Sequence, residues 1–150
     1  ISAPQKKRSL SKTDTAGLLE ALASDNMLWR LHAQRLLVER NQKDVVAPLL
    51  ALVRNTTVDS LGLNGGAMHA LWTLQGLGEL NATTGESYRA AVAALKHPSA
   101  AVRKAAAMVL PKRAESAAAI LDSGILADPE LHTRLAATLV LAEKIGRAHV

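Results

Sequence analysis

Apolar residues fall at helical spacing in eight stretches separated by polar, Gly-containing or Pro-containing joints. Four of these stretches, residues 29–37, 66–74, 102–110 and 133–141, can be laid over one another. Ala33, Ala70, Ala106 and Ala137 then align, as do Leu37, Leu74, Leu110 and Leu141, and both columns step by 37, 36 and 31 residues. A small residue followed four positions later by Leu places both on one helix face. The Ala lets a neighbouring helix come close, and the Leu fills the space one turn on.

A further helix is predicted before each aligned segment. Leu18, Leu19, Leu22 and Ala23 follow Thr13 and Asp14, which offer an N-cap. Val45, Val46, Leu49, Leu50 and Val53 follow the polar joint 41–44. Tyr88, Val92 and Leu95 follow Thr83-Thr84-Gly85-Glu86, which reads as a capping signal. The fourth, over 117–121, is short and stops at Ser123-Gly124. Breakers fall between the helices at Asp25-Asn26, 55–57, 62–66, His97-Pro98, Pro111 and Asp128-Pro129. Pro98 and Pro129 are expected in the first turn of their helices, and Pro48 near the start of its own. No helix of such a pair can bury its apolar face alone, so the pairs must stack. The expectation is an all-α chain, an α-solenoid of about four antiparallel helix pairs over residues 14–143.

Composition supports the helical reading. Ala (28) and Leu (25) make up over a third of the 150 residues, against 14 for Val and Ile together. That balance argues against a sandwich or barrel. The absence of Cys excludes a disulfide framework, a thiolate metal site, a Cys nucleophile and a covalently attached c-type haem within these residues. The net charge of +5 is unevenly placed: residues 1–12 carry +4, residues 144–150 carry +2, and residues 13–143 carry −1. The repeat region is thus near neutral and gives no pull toward nucleic acid or an anionic membrane. Residues 1–13, with Lys6, Lys7, Arg8 and Pro4, read as a solvated linker. Residues 144–150 break the helical pattern and match one translated frame of a common short-read sequencing adapter, so a non-native tail is expected there. No run approaches the roughly 18 apolar residues of a membrane helix.

An Asp- or Asn-containing turn, then Val/Trp-Arg, then Ala, then Leu is present at Asp25…Trp29-Arg30…Ala33…Leu37. It recurs at His97-Pro98…Val102-Arg103…Ala106…Leu110 and at Asp128-Pro129…Arg134…Ala137…Leu141. This motif resembles the HEAT repeat, which implies a right-handed superhelix. The second segment departs, with Ala67 where Arg is expected, after a Gly-rich turn. The stretches 24–40 and 66–78 are also similar to the HEAT segment of large membrane-bound dehydrogenases of planctomycetes and verrucomicrobia. That narrower resemblance implies a quinoprotein-like β-propeller before the repeats and a c-type haem domain after them. It also implies a periplasmic or cell-envelope setting. None of that family's catalytic or haem-ligating residues falls in this stretch. The segment is then expected to be a non-catalytic scaffold, with no cofactor of its own, that docks a protein or spaces flanking domains of its own chain.

Two sets of side chains are candidates for contact. Arg30, Arg103 and Arg134 share one repeat position. They form either an anion-binding ladder or, the favoured reading, bonds to carbonyls and acids such as Asp25 and Asp128 at the turns. His32 aligns with His69, and Arg35 with Trp72 one turn on. With stacked helices about 8–10 Å apart these four could form one partner-binding patch, or could be ordinary inter-repeat packing. Two His without a third ligand make no metal site. The competing function is a HEAT-like nucleic-acid-binding or DNA-repair module. It needs repeated Lys/Arg, whereas the rows here read His32/His69/Ala105/Ala136 and Arg35/Trp72/Met108/Leu139, with one Arg. Ser9-Leu10-Ser11-Lys12 fits S-x-x-K by chance in a tail, and Gly62, Gly65 and Gly66 lack the Lys-Ser/Thr of a phosphate loop.

Overall fold

The computed structural model describes the backbone of residues 9–146 and the side chains of residues 9–144. Among the described residues there are eight α-helices and no strand. They are α1 (Thr15–Leu22), α2 (Met27–Arg40), α3 (Val46–Arg54), α4 (Gly65–Gly76), α5 (Glu86–Ala93), α6 (Ala100–Val109), α7 (Ala114–Ser123) and α8 (Leu131–Gly146). Short 3₁₀ turns lead into α3 (Lys43–Val45) and extend α5 (Ala94–Lys96) and α7 (Ile125–Ala127).

The starts and stops follow side-chain chemistry. Asp14, Asn26 and Asn64 each accept an amide hydrogen from the first turn, at Gly17, Leu28 and Ala67 respectively. Asn41 ends α2 at φ +50°, and Gly124 ends α7 at φ +79°, a left-handed position that favours glycine. Two expectations shift. The capping signal at 83–86 supplies no side-chain cap: Gly85 occupies the N-cap of α5 in extended backbone. Pro98 and Pro129 lie two residues ahead of α6 and α8 rather than inside their first turns. A proline drives the residue before it into extended backbone, and His97 (ψ 145°) and Asp128 (ψ 138°) take that conformation. The prolines therefore shape the turn, not the helix.

The four aligned segments are α2, α4, α6 and α8, and these contact one another in chain order. Helices α3, α5 and α7 form a looser line behind them, while α1 packs on α2, α3 on α4 and α7 on α8. The alanine column Ala33, Ala70, Ala106 and Ala137 is fully buried, and Leu37, Leu74, Leu110 and Leu141 are buried beside it. Alanine at the contact lets backbones approach. The same tightness holds at the end of α4, where a Cβ on Gly76 would lie 2.6 Å from Val38 Cγ2 of α2. Removing one such leucine costs about 2–5 kcal/mol, because the lining cannot collapse fully.

Both ends of the described region pack. Leu10 lies against the core, and Lys12 pairs with Glu39 at 2.8 Å; residues 1–8, with the Lys6–Arg8 cluster, lie outside the described residues. The helical pattern does not break at residue 144. Helix α8 runs to Gly146, and Lys144 is buried with Nζ donating to Leu110 O at 2.8 Å. Burial pushes the Lys144 amine below its ordinary pKa, while the carbonyl at the end of α6 gives its ammonium a partner. Residues 147–150 lie outside the described residues.

Replacing Ala70 with Leu is expected to lower urea-denaturation stability by about 1–3 kcal/mol through overpacking between α2, α4 and α6. The same change at exposed Ala118 should stay within about 0.5 kcal/mol of wild type.

Candidate functional site

The three arginines of the shared position each close their own turn. Arg30 Nη1 donates to Ser24 O at 2.6 Å, Arg103 Nη1 to His97 O at 2.8 Å, and Arg134 Nη1 to Asp128 O at 2.5 Å. In every case the acceptor is the carbonyl six residues earlier. A guanidinium presents several donors in a fixed fork, so one side chain can hold its own turn and still face another group. Arg103 does both. Its Nε and Nη2 grip Asp128 Oδ2 and Oδ1 at 2.5 and 2.8 Å, tying α6 to the turn before α8. The pair is largely buried. The Arg103 guanidinium holds the Asp128 carboxyl below its ordinary pKa, and Asp128 raises Arg103 in return. Asp25, the other acid expected at this position, makes no ion pair with Arg30, whose partner is the Ser24 carbonyl.

The four-residue patch does not assemble as drawn from the sequence. His32 lies part-exposed on α2, with Nδ1 3.3 Å from Arg35 Nη2 of its own helix. Its aligned counterpart His69 is buried, with Nδ1 2.7 Å from Gln34 Oε1 of α2. His69 faces α2, the helix before its own in the α2, α4, α6, α8 line, whereas α2 has no such helix before it among the described residues, which leaves His32 outward. Burial first, and then the Arg30 charge, lowers His69 from 6.5 to about 4, so it is neutral near pH 7. Arg35 and Trp72 do come together. With Leu31, Val38 and Gln75 they line a shallow groove of about 350 Å³ between α2 and α4. Exposed Leu31, Met108, Leu135 and Leu139 continue an apolar face along α2, α6 and α8.

Sequence reasoning missed a larger cavity, of about 490 Å³, between the turn at Ser24 and Asp25 and the loop 55–64. Its signal was the departure at Ala67. Where the other segments close the turn with Arg, this loop is held differently. Asn64 Nδ2 donates to Asn55 O and Thr57 O at 2.8 and 2.9 Å, and Asp59 Oδ1 accepts from the amides of Leu61 and Leu63. His97 fastens the far side. Its Nδ1 accepts from the Ser99 amide, so Nε2 carries the proton and donates to Asn55 O at 2.9 Å.

Among the described residues no three His, Asp or Glu side chains converge to hold a metal ion. No helix there is long and apolar enough to cross a membrane. No protein-family model, curated protein or solved structure matches the chain.

Changing Asp128 to Ala strands the Arg103 fork and is expected to cost about 1.5–3 kcal/mol in chemical denaturation. Glu86→Ala, which removes an exposed pair with Arg54, should have a much smaller effect. His69 sets a pH dependence. The unfolded chain takes up a proton near pH 6.5 and the folded chain only near 4, so the native state binds fewer protons between those values. Stability should therefore fall as pH drops through that window. His69→Gln should flatten that part of the curve, as followed by the thermal midpoint against pH.

Proposed function

We propose that the chain is a non-catalytic helical-repeat scaffold, an α-solenoid of four HEAT-like pairs wound as a right-handed superhelix. On this reading each pair joins one helix of the α1, α3, α5, α7 line to one of the α2, α4, α6, α8 line. The chain-order contacts of α2, α4, α6 and α8, their shared alanine and leucine columns, and the recurring arginine-to-turn bond support it. The scaffold docks a protein partner, or flanking domains of its own polypeptide, and belongs to a larger multidomain redox protein of the cell envelope. It contributes no catalytic group, cofactor or metal of its own to that protein.

The observation that carries the docking role is the face described above, where Leu31, Trp72, Met108, Leu135 and Leu139 repeat along the stacked second helices. An apolar face rimmed by Arg35 and Lys104 suits a protein surface. Nucleic acid would need a basic row, and here Leu31, Met108 and Leu135 interrupt those two cations.

The experiment has two arms. Sequencing of the surrounding locus should reveal a β-propeller upstream and Cys-x-x-Cys-His downstream; an isolated short repeat gene overturns the redox assignment. The flanking domains, supplied in trans, should bind the chain by calorimetry. The double change Trp72→Ala and Leu135→Asp should weaken that binding at least about tenfold with far-ultraviolet dichroism unchanged. Unaltered affinity overturns the docking face.

A further inference from the structure

We propose that the cavity beside Arg30 binds a single carboxylate, gripped by the Nε–Nη2 edge of that guanidinium. The cavity lies apart from the groove of Arg35 and Trp72, with which it shares no lining residue. Arg103 and Arg30 occupy the same position and spend Nη1 in the same way, on the carbonyl six residues earlier. Arg103 fills its remaining edge with the Asp128 carboxylate, oxygen for nitrogen, in fork-to-fork geometry. Arg30 has no acid on that edge, and its Nε is buried with no hydrogen-bond partner. A buried, unpaired donor on a cation is the kind of group that a bound carboxylate satisfies.

The missing acid has a sequence cause. Asp128 stands six residues before Arg134; the residue six before Ala67 is Leu61, which is 79% exposed on a loop clasped by Asn64. No internal carboxylate reaches Arg30, and the cavity of about 490 Å³ opens there instead, lined by Arg30. That volume suits an amino acid or the end of a peptide. Gly65 packs directly over the guanidinium: a Cβ there would sit 2.8 Å from Arg30 Nε and 2.9 Å from Cζ. Nε lies beneath this turn, so entry of a carboxylate shifts the turn, and the Gly65 amide reports it. Two acids, Asp25 and Asp59, share the lining, and one Asp59 oxygen is committed to the Leu61 and Leu63 amides. Their charge selects against multiply charged anions and favours a monocarboxylate that also carries a cationic group.

The test is nitrogen-15 NMR of the arginine Nε–H groups in the full chain during titration with glycine, acetate, an N-capped peptide with one C-terminal carboxylate, citrate and phosphate. The Arg30 Nε–H and the Gly65 amide should shift and saturate with monocarboxylates, while the Arg103 Nε–H, already paired, stays in place. Glycine binding at least about tenfold tighter than the capped peptide assigns the site to free amino acids, and the reverse assigns it to peptide ends. Arg30→Lys keeps the charge but loses the fork and should weaken binding at least about tenfold. Gly65→Ala should do the same by crowding Nε, and serves if the lysine variant does not fold. An Arg30 signal that moves only linearly, in step with exposed Arg54 and Arg113, overturns the proposal, as does tighter binding of citrate or phosphate.

Discussion

The fold depends on how closely four helices can approach one another. Ala33, Ala70, Ala106 and Ala137 contribute almost no volume, and all four are fully buried. Because the side chains at the contact are so small, the leucine one turn on from each can fill the space alongside instead of holding the helices apart. Everything outside that row adapts to the spacing it sets. His69 reaches Gln34 across it, Lys144 reaches the end of α6, and Gly76 leaves room for the Val38 side chain where α4 meets α2. A fold with few aromatic residues has few bulky side chains to correct a mismatch, so the small residues carry the precision.

Turns make the second half of the framework. In three segments an arginine bends back to its own turn, and in one it also clasps the acid of the next. The second segment lacks the arginine and is held by asparagine and histidine instead. These are weaker, neutral bonds to carbonyls, and a cavity lies beside the loop they hold. The segment that departs from the repeated pattern is also the one whose loop borders the cavity.

Much of this could be read from the chain. The alanine and leucine columns, the Asp14 cap, the stop at Gly124 and the turn role of the arginines follow from spacing and side-chain type. What could not be read depends on a neighbour in space. His32 and His69 are equivalent in sequence, and only the presence of a helix in front of one of them makes it a neutral core residue. Lys144 looks like a surface lysine until the carbonyl at Leu110, 34 residues earlier, is placed beside it. Thr83 and Thr84 suggest a cap, yet Gly85 takes the position, because the local signal could not register the turn that precedes it. The cavity was visible only as an exception, an alanine where three other segments led toward arginine.

The side-chain bonds described between helices have a limited reach. They join residues from 25 positions apart, at Arg103 and Asp128, to 42 apart, at Asn55 and His97. Gln34 with His69, Arg54 with Glu86, and Lys144 with Leu110 fall between, at 35, 32 and 34. Each unit is therefore laced to its neighbour and not to the far end. In a chain tied this way, a local opening breaks the bonds of adjoining helices and leaves those farther along the chain in place.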